Sequence, residues 1–196
     1  MKSTALNVPN MLSLLRVLLV PAFVVTLLMM RDVYLWGAIV PTVIYGLTAL
    51  TDMLDGKIAR KYNLVTDFGK FIDPLADKFM VIASMIAINA KMFLDGEITC
   101  AYIFLALVLL ILFRELAVTS LRLVVAGKSG IVVAASIFGK IKTVSQMVGT
   151  VIILLEPLIW SGRIASYVLM AIMAFSTIFS GLDYMKAYLP HIDTNK

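Results

Sequence analysis

The sequence predicts an all-α integral membrane protein with six transmembrane helices. Three observations carry this prediction. Hydrophobic residues make up 61% of the 196 residues and charged residues only 15%, where soluble domains have roughly 45–50% and about 25%. The mean hydropathy is +0.99. The apolar residues also gather into six stretches, each close to the about 20 residues a helix needs to cross the hydrocarbon core. Every backbone group in that layer must be satisfied within its own segment, so such stretches are helical.

The elements follow in order. The first stretch, 11–30, carries Arg16 and is followed by Arg31-Asp32 rather than a small-residue cleavage site. It therefore reads as a first spanning helix and not a signal peptide. The second, 34–51, opens on Tyr34 and Trp36, aromatic side chains suited to a membrane interface. The third covers 74–93 and begins at Pro74, which costs little in a first turn but kinks a helix further in. The sequence leaves both placements open. A polar link at 94–98 carries Asp95 and Glu97. The fourth stretch is 100–126. Gly127-Lys128-Ser129 follows it and looks like the end of a phosphate-binding loop, but Arg122 stands where the first glycine belongs and no strand precedes, so a turn is expected. The fifth and sixth stretches cover 133–156 and 163–181, with Trp160 between them. The links are too short for a second domain, so 1–196 reads as a single membrane domain.

Charge orients the chain. Lys2, Lys57, Arg60, Lys61, Lys70, Lys78, Lys128, Lys140, Lys142, Lys186 and Lys196 fall at one end of the predicted helices, and Arg31, Lys91 and Arg163 at the other. Basic residues favour the cytoplasmic side, which predicts cytoplasmic termini and a multi-pass protein of the plasma membrane whose charged links face the cytoplasm. The net charge of +5 then suits membrane lipids with anionic headgroups, or a phosphorylated substrate, and not nucleic acid. The single Cys100 excludes an internal disulfide and a multi-cysteine metal site. The single His191, near the end of the chain, argues against Ser-His-Asp, Cys-His and zinc-protease arrangements.

Chemistry concentrates in residues 51–78, TDMLDGKIARKYNLVTDFGKFIDPLADK. Asp52 and Asp55 are three apart and Asp73 and Asp77 four apart, so each pair shares a helix face. Four facing carboxylates repel unless protonated or bridged by cations. Oxygen-only ligands favour Mg²⁺ or Mn²⁺, and four carboxylates suffice for two ions, an arrangement suited to phosphoryl chemistry. Gly56, Ala59 and Gly69 are small residues interleaved with the acids and leave room for a ligand, while Arg60 can fork onto a phosphate. The competing reading is an ordinary solvated loop rich in charge.

The pattern Asp52-x-x-Asp55-Gly56-x-x-Ala59-Arg60, eight residues, Gly69-x-x-x-Asp73-x-x-x-Asp77 resembles the signature of the CDP-alcohol phosphatidyltransferase family at all eight fixed positions. At about 5% per residue type, the chance of such a match in this length is about 10⁻⁸. The resemblance implies transfer of a phosphatidyl group from a CDP-linked lipid to an alcohol, with CMP leaving. It implies that Asp52, Asp55, Asp73 and Asp77 hold the metal ions and that Asp77 is also the general base. It implies that Gly56, Ala59, Arg60, Thr66 and Gly69 meet CDP-diacylglycerol. Pro9-Asn10-Met11-Leu12-Ser13 resembles a first-helix element that helps hold the nucleotide through Asn10 and Ser13. The family also implies a homodimer.

A second region bears on the acceptor. Arg114 and Arg122, eight apart, share roughly one face of the fourth helix, and Lys140 and Lys142 open the fifth. Four cations converging near the aspartates would suit a phosphorylated alcohol. The alternative is that Arg114 pairs with Glu115 and the lysines anchor to headgroups. Arg114-Glu115 through Gly139-Lys140-Ile141-Lys142-Thr143, with Asp67 to Lys78, resembles family members that make phosphatidylglycerophosphate, which implies sn-glycerol 3-phosphate as acceptor. Relatives that make cardiolipin or use inositol phosphate are alternatives. From a different class, a cation transporter or channel also uses intramembrane carboxylates, but here the acids cluster at one membrane face and none continues a path across.

Overall fold

The computed structural model describes residues 7–62, 66–129, 136–160 and 162–191; the side chains of 52–61, 70, 126, 128, 129 and 191 lie outside that description. Within it the chain is six α-helices and a closing 3₁₀ turn: α1 (Val8–Met29), α2 (Trp36–Tyr62), α3 (Asp67–Leu94), α4 (Ile98–Ser129), α5 (Ile137–Ile159), α6 (Ile164–Tyr188) and Leu189–His191. The short links make successive helices antiparallel. α1 lies against α2 and α3, α3 meets α4 and α5, and α6 packs on α4 and α5.

The polarity is inside-out. Ile159, Met29 and Phe113 are 83%, 79% and 73% exposed, while Arg16, Ser13, Thr177 and Ser180 are all 0% exposed. Water would not stabilise that arrangement, and lipid does. Among the described residues four helical segments are long and apolar enough to cross a membrane: Val8–Met29, Ile98–Val125, Ile137–Ile159 and Ile164–Tyr188. Residues Trp36–Thr51 of α2 form a shorter apolar segment. α3 interrupts its apolar run with Asp77, Lys78 and Lys91.

Several predicted boundaries move. α1 begins at Val8, where the Asn7 side chain caps it by accepting from Asn10 N at 3.1 Å. α2 does not stop at 51 but stays helical to Tyr62. α3 begins at Asp67 instead of 74, because Thr66 Oγ1 accepts from Gly69 N at 3.0 Å and caps the helix there. Pro74 is therefore an interior residue, beyond the first turn, and the Lys70 carbonyl loses its usual helical donor. α4 runs past 126 to Ser129, α5 to Ile159 and α6 to Tyr188. The predicted fifth-helix residues 133–135 lie outside the described residues.

The end of the bundle remote from the acidic motif is closed by side chains. At the α3–α4 turn Gly96 adopts φ +78°, and Glu97 N bonds Met92 O at 2.9 Å, a left-handed helix stop that glycine takes without strain. Arg163 Nη2 meets Glu97 Oε2 at 2.8 Å. The Glu156 carboxylate caps α6, accepting from Ala165 N at 2.7 Å and Ser166 N at 2.8 Å. Most of the apolar core, including Phe23, Leu27, Phe104 and Met173, joins all six helices. A separate small cluster of Val118, Val125, Tyr184 and Tyr188 ties the other end of α4 to α6.

Candidate active site

The acidic half is organised by the first helix. Asn10 Nδ2 donates to Thr66 Oγ1 at 2.9 Å, so one hydroxyl both caps α3 and receives α1. Gly69 lies beneath this contact: a Cβ built there would fall 2.7 Å from Asn10 Oδ1. One turn along α1, Ser13 Oγ donates to Asp73 Oδ1 at 2.5 Å. Ser13 is fully buried, and a hydroxyl on a carboxylate is a short, charge-assisted bond that fixes the acid's orientation. Asn10, Ser13, Thr66, Gly69 and Asp73, spread over more than sixty residues of sequence, therefore share one junction. Asp77 follows Asp73 by four residues on α3 and lines the cavity described next. Asp52, Asp55, Gly56, Ala59 and Arg60 lie on the described backbone of α2, but their side chains are outside the described residues.

The basic half lies beyond Asp77. A cavity of about 560 Å³ is lined by Pro74, Asp77 and Lys78 of α3, by Arg114, Glu115, Thr119 and Arg122 of α4, by Lys140, Lys142 and Thr143 of α5, and by Tyr184 of α6. The four predicted cations are thus brought together, and with the acid predicted to be the base. Arg122 and Lys140 are exposed at the mouth, while Lys142 is buried. Asp77 lies within electrostatic reach of Lys142.

Glu115 is the hub. Its Oε1 accepts from Arg114 Nη1 at 2.9 Å and from Lys142 Nζ. The pairing of Arg114 with Glu115, weighed above as an alternative to an acceptor site, therefore occurs inside the cavity that such a site requires. Arg114 Nη2 donates to Ser180 Oγ at 2.6 Å, and Arg114 Nε is buried without a hydrogen-bond partner among the described residues. Lys78 Nζ donates to Thr119 Oγ1 at 2.5 Å. Five cations against two carboxylates leave the cavity wall net positive, a field that draws in an anion.

Comparison with known proteins shows the family of the chain. The CDP-alcohol phosphatidyltransferase family matches residues 6–179. The chain belongs to the CDP-alcohol phosphatidyltransferase family. A CDP-diacylglycerol–glycerol-3-phosphate 3-phosphatidyltransferase of Bacillus subtilis is 38% identical over 193 residues, covering 91% of this chain and 93% of the relative. A probable phosphatidylglycerophosphate synthase of Mycobacterium tuberculosis is 35% identical over 186 residues, with 95% and 83% covered. A CDP-diacylglycerol–glycerol-3-phosphate 3-phosphatidyltransferase of Salmonella typhimurium is 35% identical over 183 residues, with 92% and 94% covered. As a family member the chain is a transferase, and the acidic motif falls within the matched residues.

Sequence reasoning missed Tyr184, Thr119 and Lys78 as parts of the cavity, and Ser180 as a partner of Arg114. Lys78 carried a signal, since it adjoins Asp77. The neutral three carried none, because a tyrosine or serine near a helix end reads equally well as an interfacial anchor or a packing residue.

Proposed function

We propose that this protein transfers the phosphatidyl group of CDP-diacylglycerol to sn-glycerol 3-phosphate, giving phosphatidylglycerophosphate and CMP. The observation that carries this reading is the single cavity in which Asp77 meets Arg114, Arg122, Lys140 and Lys142. A transferase of this family needs an acid beside the incoming hydroxyl, and a phosphorylated acceptor needs fixed cations beside that acid. The names borne by the relatives from Bacillus subtilis and Salmonella typhimurium support the same donor and acceptor.

The donor's acyl chains stay in the bilayer, and its nucleotide meets Asn10, Ser13, Thr66 and Gly69 near the α1–α3 junction, with Gly56, Ala59 and Arg60 of α2. Glycerol 3-phosphate enters from water at Arg122 and Lys140 and seats its phosphate among the cavity cations. Asp77 accepts the proton of the acceptor hydroxyl as the new O–P bond forms to the lipid-linked phosphorus. The phosphoanhydride bond breaks, and CMP leaves with the bonding electrons. A carboxylate is a weak base, so this transfer is concerted with attack. Positioning and charge neutralisation carry most of such a reaction.

Asp52, Asp55, Asp73 and Asp77 form an all-oxygen donor set that suits two Mg²⁺ or Mn²⁺ ions, and the Ser13 bond to Asp73 is the kind of outer contact that orients a ligand. Such ions neutralise the phosphates and acidify a nearby hydroxyl. The protein is read as a homodimer in the plasma membrane with six spans, cytoplasmic termini and a cytoplasmic site. In that arrangement Asp73 of α3 lies against α1, Asp77 and Lys78 line the cavity shared with α4 and α5, and α2 continues beyond its apolar segment to Tyr62.

The test is CMP release by the purified protein with CDP-diacylglycerol and Mg²⁺, offering glycerol 3-phosphate, inositol phosphate, serine or phosphatidylglycerol. Release with glycerol 3-phosphate alone, abolished by chelation, is the expected result. Release with phosphatidylglycerol or inositol phosphate instead would reassign the basic cavity, and release with none would refute the reaction.

A further inference from the structure

The cavity is completed by a side chain that neither the acidic motif nor the charge pattern marks. Tyr184 of α6 is 5% exposed. Its ring faces two guanidinium groups from positions two turns apart on α4. The Arg114 guanidinium carbon lies 5.3 Å from the ring centre and that of Arg122 6.0 Å. Tyr188 stacks with it, centroids 6.2 Å apart and planes 12° from parallel. Tyr188 is fully buried among Val118 and Val125. The Tyr184 ring is therefore backed by packed side chains and cannot swing away without breaking the cluster that joins α4 to α6.

Two cations drawn to one ring repel each other. The negative face of the ring offsets part of that cost. Glu115 and Ser180 hold Arg114 in place, and what Arg122 shares with it is the ring. The buried Arg114 Nε has no hydrogen-bond partner among the described residues. An arrangement that concentrates guanidinium charge beside Lys78, Lys140 and Lys142 is completed by a multiply charged anion with several acceptor oxygens.

We propose that Tyr184 is a positioning and specificity-determining residue for the acceptor. Its ring gathers Arg114 and Arg122 so that both guanidiniums converge on a phosphomonoester dianion, selecting phosphorylated over neutral alcohols. This role rests on the reading of the cavity as the acceptor site. Tyr184 touches the arginines and acts through them.

Steady-state kinetics on the full-length protein test it, with glycerol 3-phosphate and CDP-diacylglycerol varied in turn. Tyr184→Phe keeps the ring and leaves both KM values within about twofold of wild type. Tyr184→Leu raises the KM for glycerol 3-phosphate by roughly 3- to 30-fold, the span of cation–π energies, while the KM for CDP-diacylglycerol stays unchanged. Fluorinated phenylalanines introduced at position 184 keep the shape and weaken the ring's negative face, so the acceptor KM should climb with each fluorine even if Tyr184→Leu does not fold. A flat fluorine series in an otherwise active enzyme overturns the role of Tyr184 alone, as does a parallel rise in both KM values. A wild-type protein that releases no CMP with glycerol 3-phosphate overturns the reaction proposed above and this role with it.

Discussion

Substituting Gly69→Ala tests the α1–α3 junction with one methyl group. A generic helix gains stability from this change, up to about 1 kcal/mol. Here the new Cβ would lie 2.7 Å from Asn10 Oδ1 and 3.3 Å from Thr66 Oγ1. Asn10 is 2% exposed and its amide is tied to Thr66. It can yield only by rotating off that hydroxyl and leaving a buried amide poorly satisfied, at a cost of about 1–3 kcal/mol. The loss outweighs the gain over most of that range, so the protein should be destabilised by up to about 2 kcal/mol. The start of α3 also shifts, carrying Asp73 and Asp77 with it. A displacement of about 1 Å at a reacting centre can cost ~10²-fold in rate. Thermal unfolding and CMP release in one detergent read both effects. The double variant Asn10→Ala/Gly69→Ala removes the overlap and should be no worse than Asn10→Ala alone. A Gly69→Ala protein with wild-type melting and turnover would refute the reasoning, because it would mean that Asn10 does not hold α3.

Three further substitutions probe the acid and the cations. Ser13→Ala removes the hydroxyl on Asp73 and should weaken Mn²⁺ binding by about 10- to 100-fold, measured by electron paramagnetic resonance without turnover; unchanged affinity would separate Ser13 from the metal ligands. Asp77→Asn should lower kcat by at least ~10²-fold while the protein remains folded and inserted, and near-wild-type turnover would remove Asp77 as the base. Lys142→Ala should raise the KM for glycerol 3-phosphate more than that for CDP-diacylglycerol, and equal effects on both would place Lys142 outside the acceptor site.

The helices were legible because hydropathy reports contact with lipid, and their ends were not because it does not report helicity. Residues 52–62 and 67–73 are too charged to count as apolar, yet they are helical. The capping signal of the second stretch, Thr66 three residues before Gly69, is local and carries no hydropathy. The acidic motif was legible because its spacing is a helix period, although the structure describes only its α3 half in side-chain detail. The cation cluster was legible as a set of charges, but Glu115 as its hub was not. Lys142 is 27 residues from Glu115, and only the packing of α4, α5 and α6 brings them together. Tyr184 was invisible for a simpler reason: an uncharged ring on an apolar helix has no pattern to break.

The division of labour along the chain has an evolutionary consequence. Among the described side chains, those placed around Asp73 come from α1 and the start of α3, and most of those around the cation hub come from α4, α5 and α6. Asp77 stands where the two sets meet. On the function proposed above, the carboxyl-terminal three helices can therefore drift toward a different alcohol while the amino-terminal three go on handling the same activated lipid. Chimaeras exchanged at the α3–α4 turn, where Gly96 already sets a sharp stop, are the natural place to trade one acceptor for another.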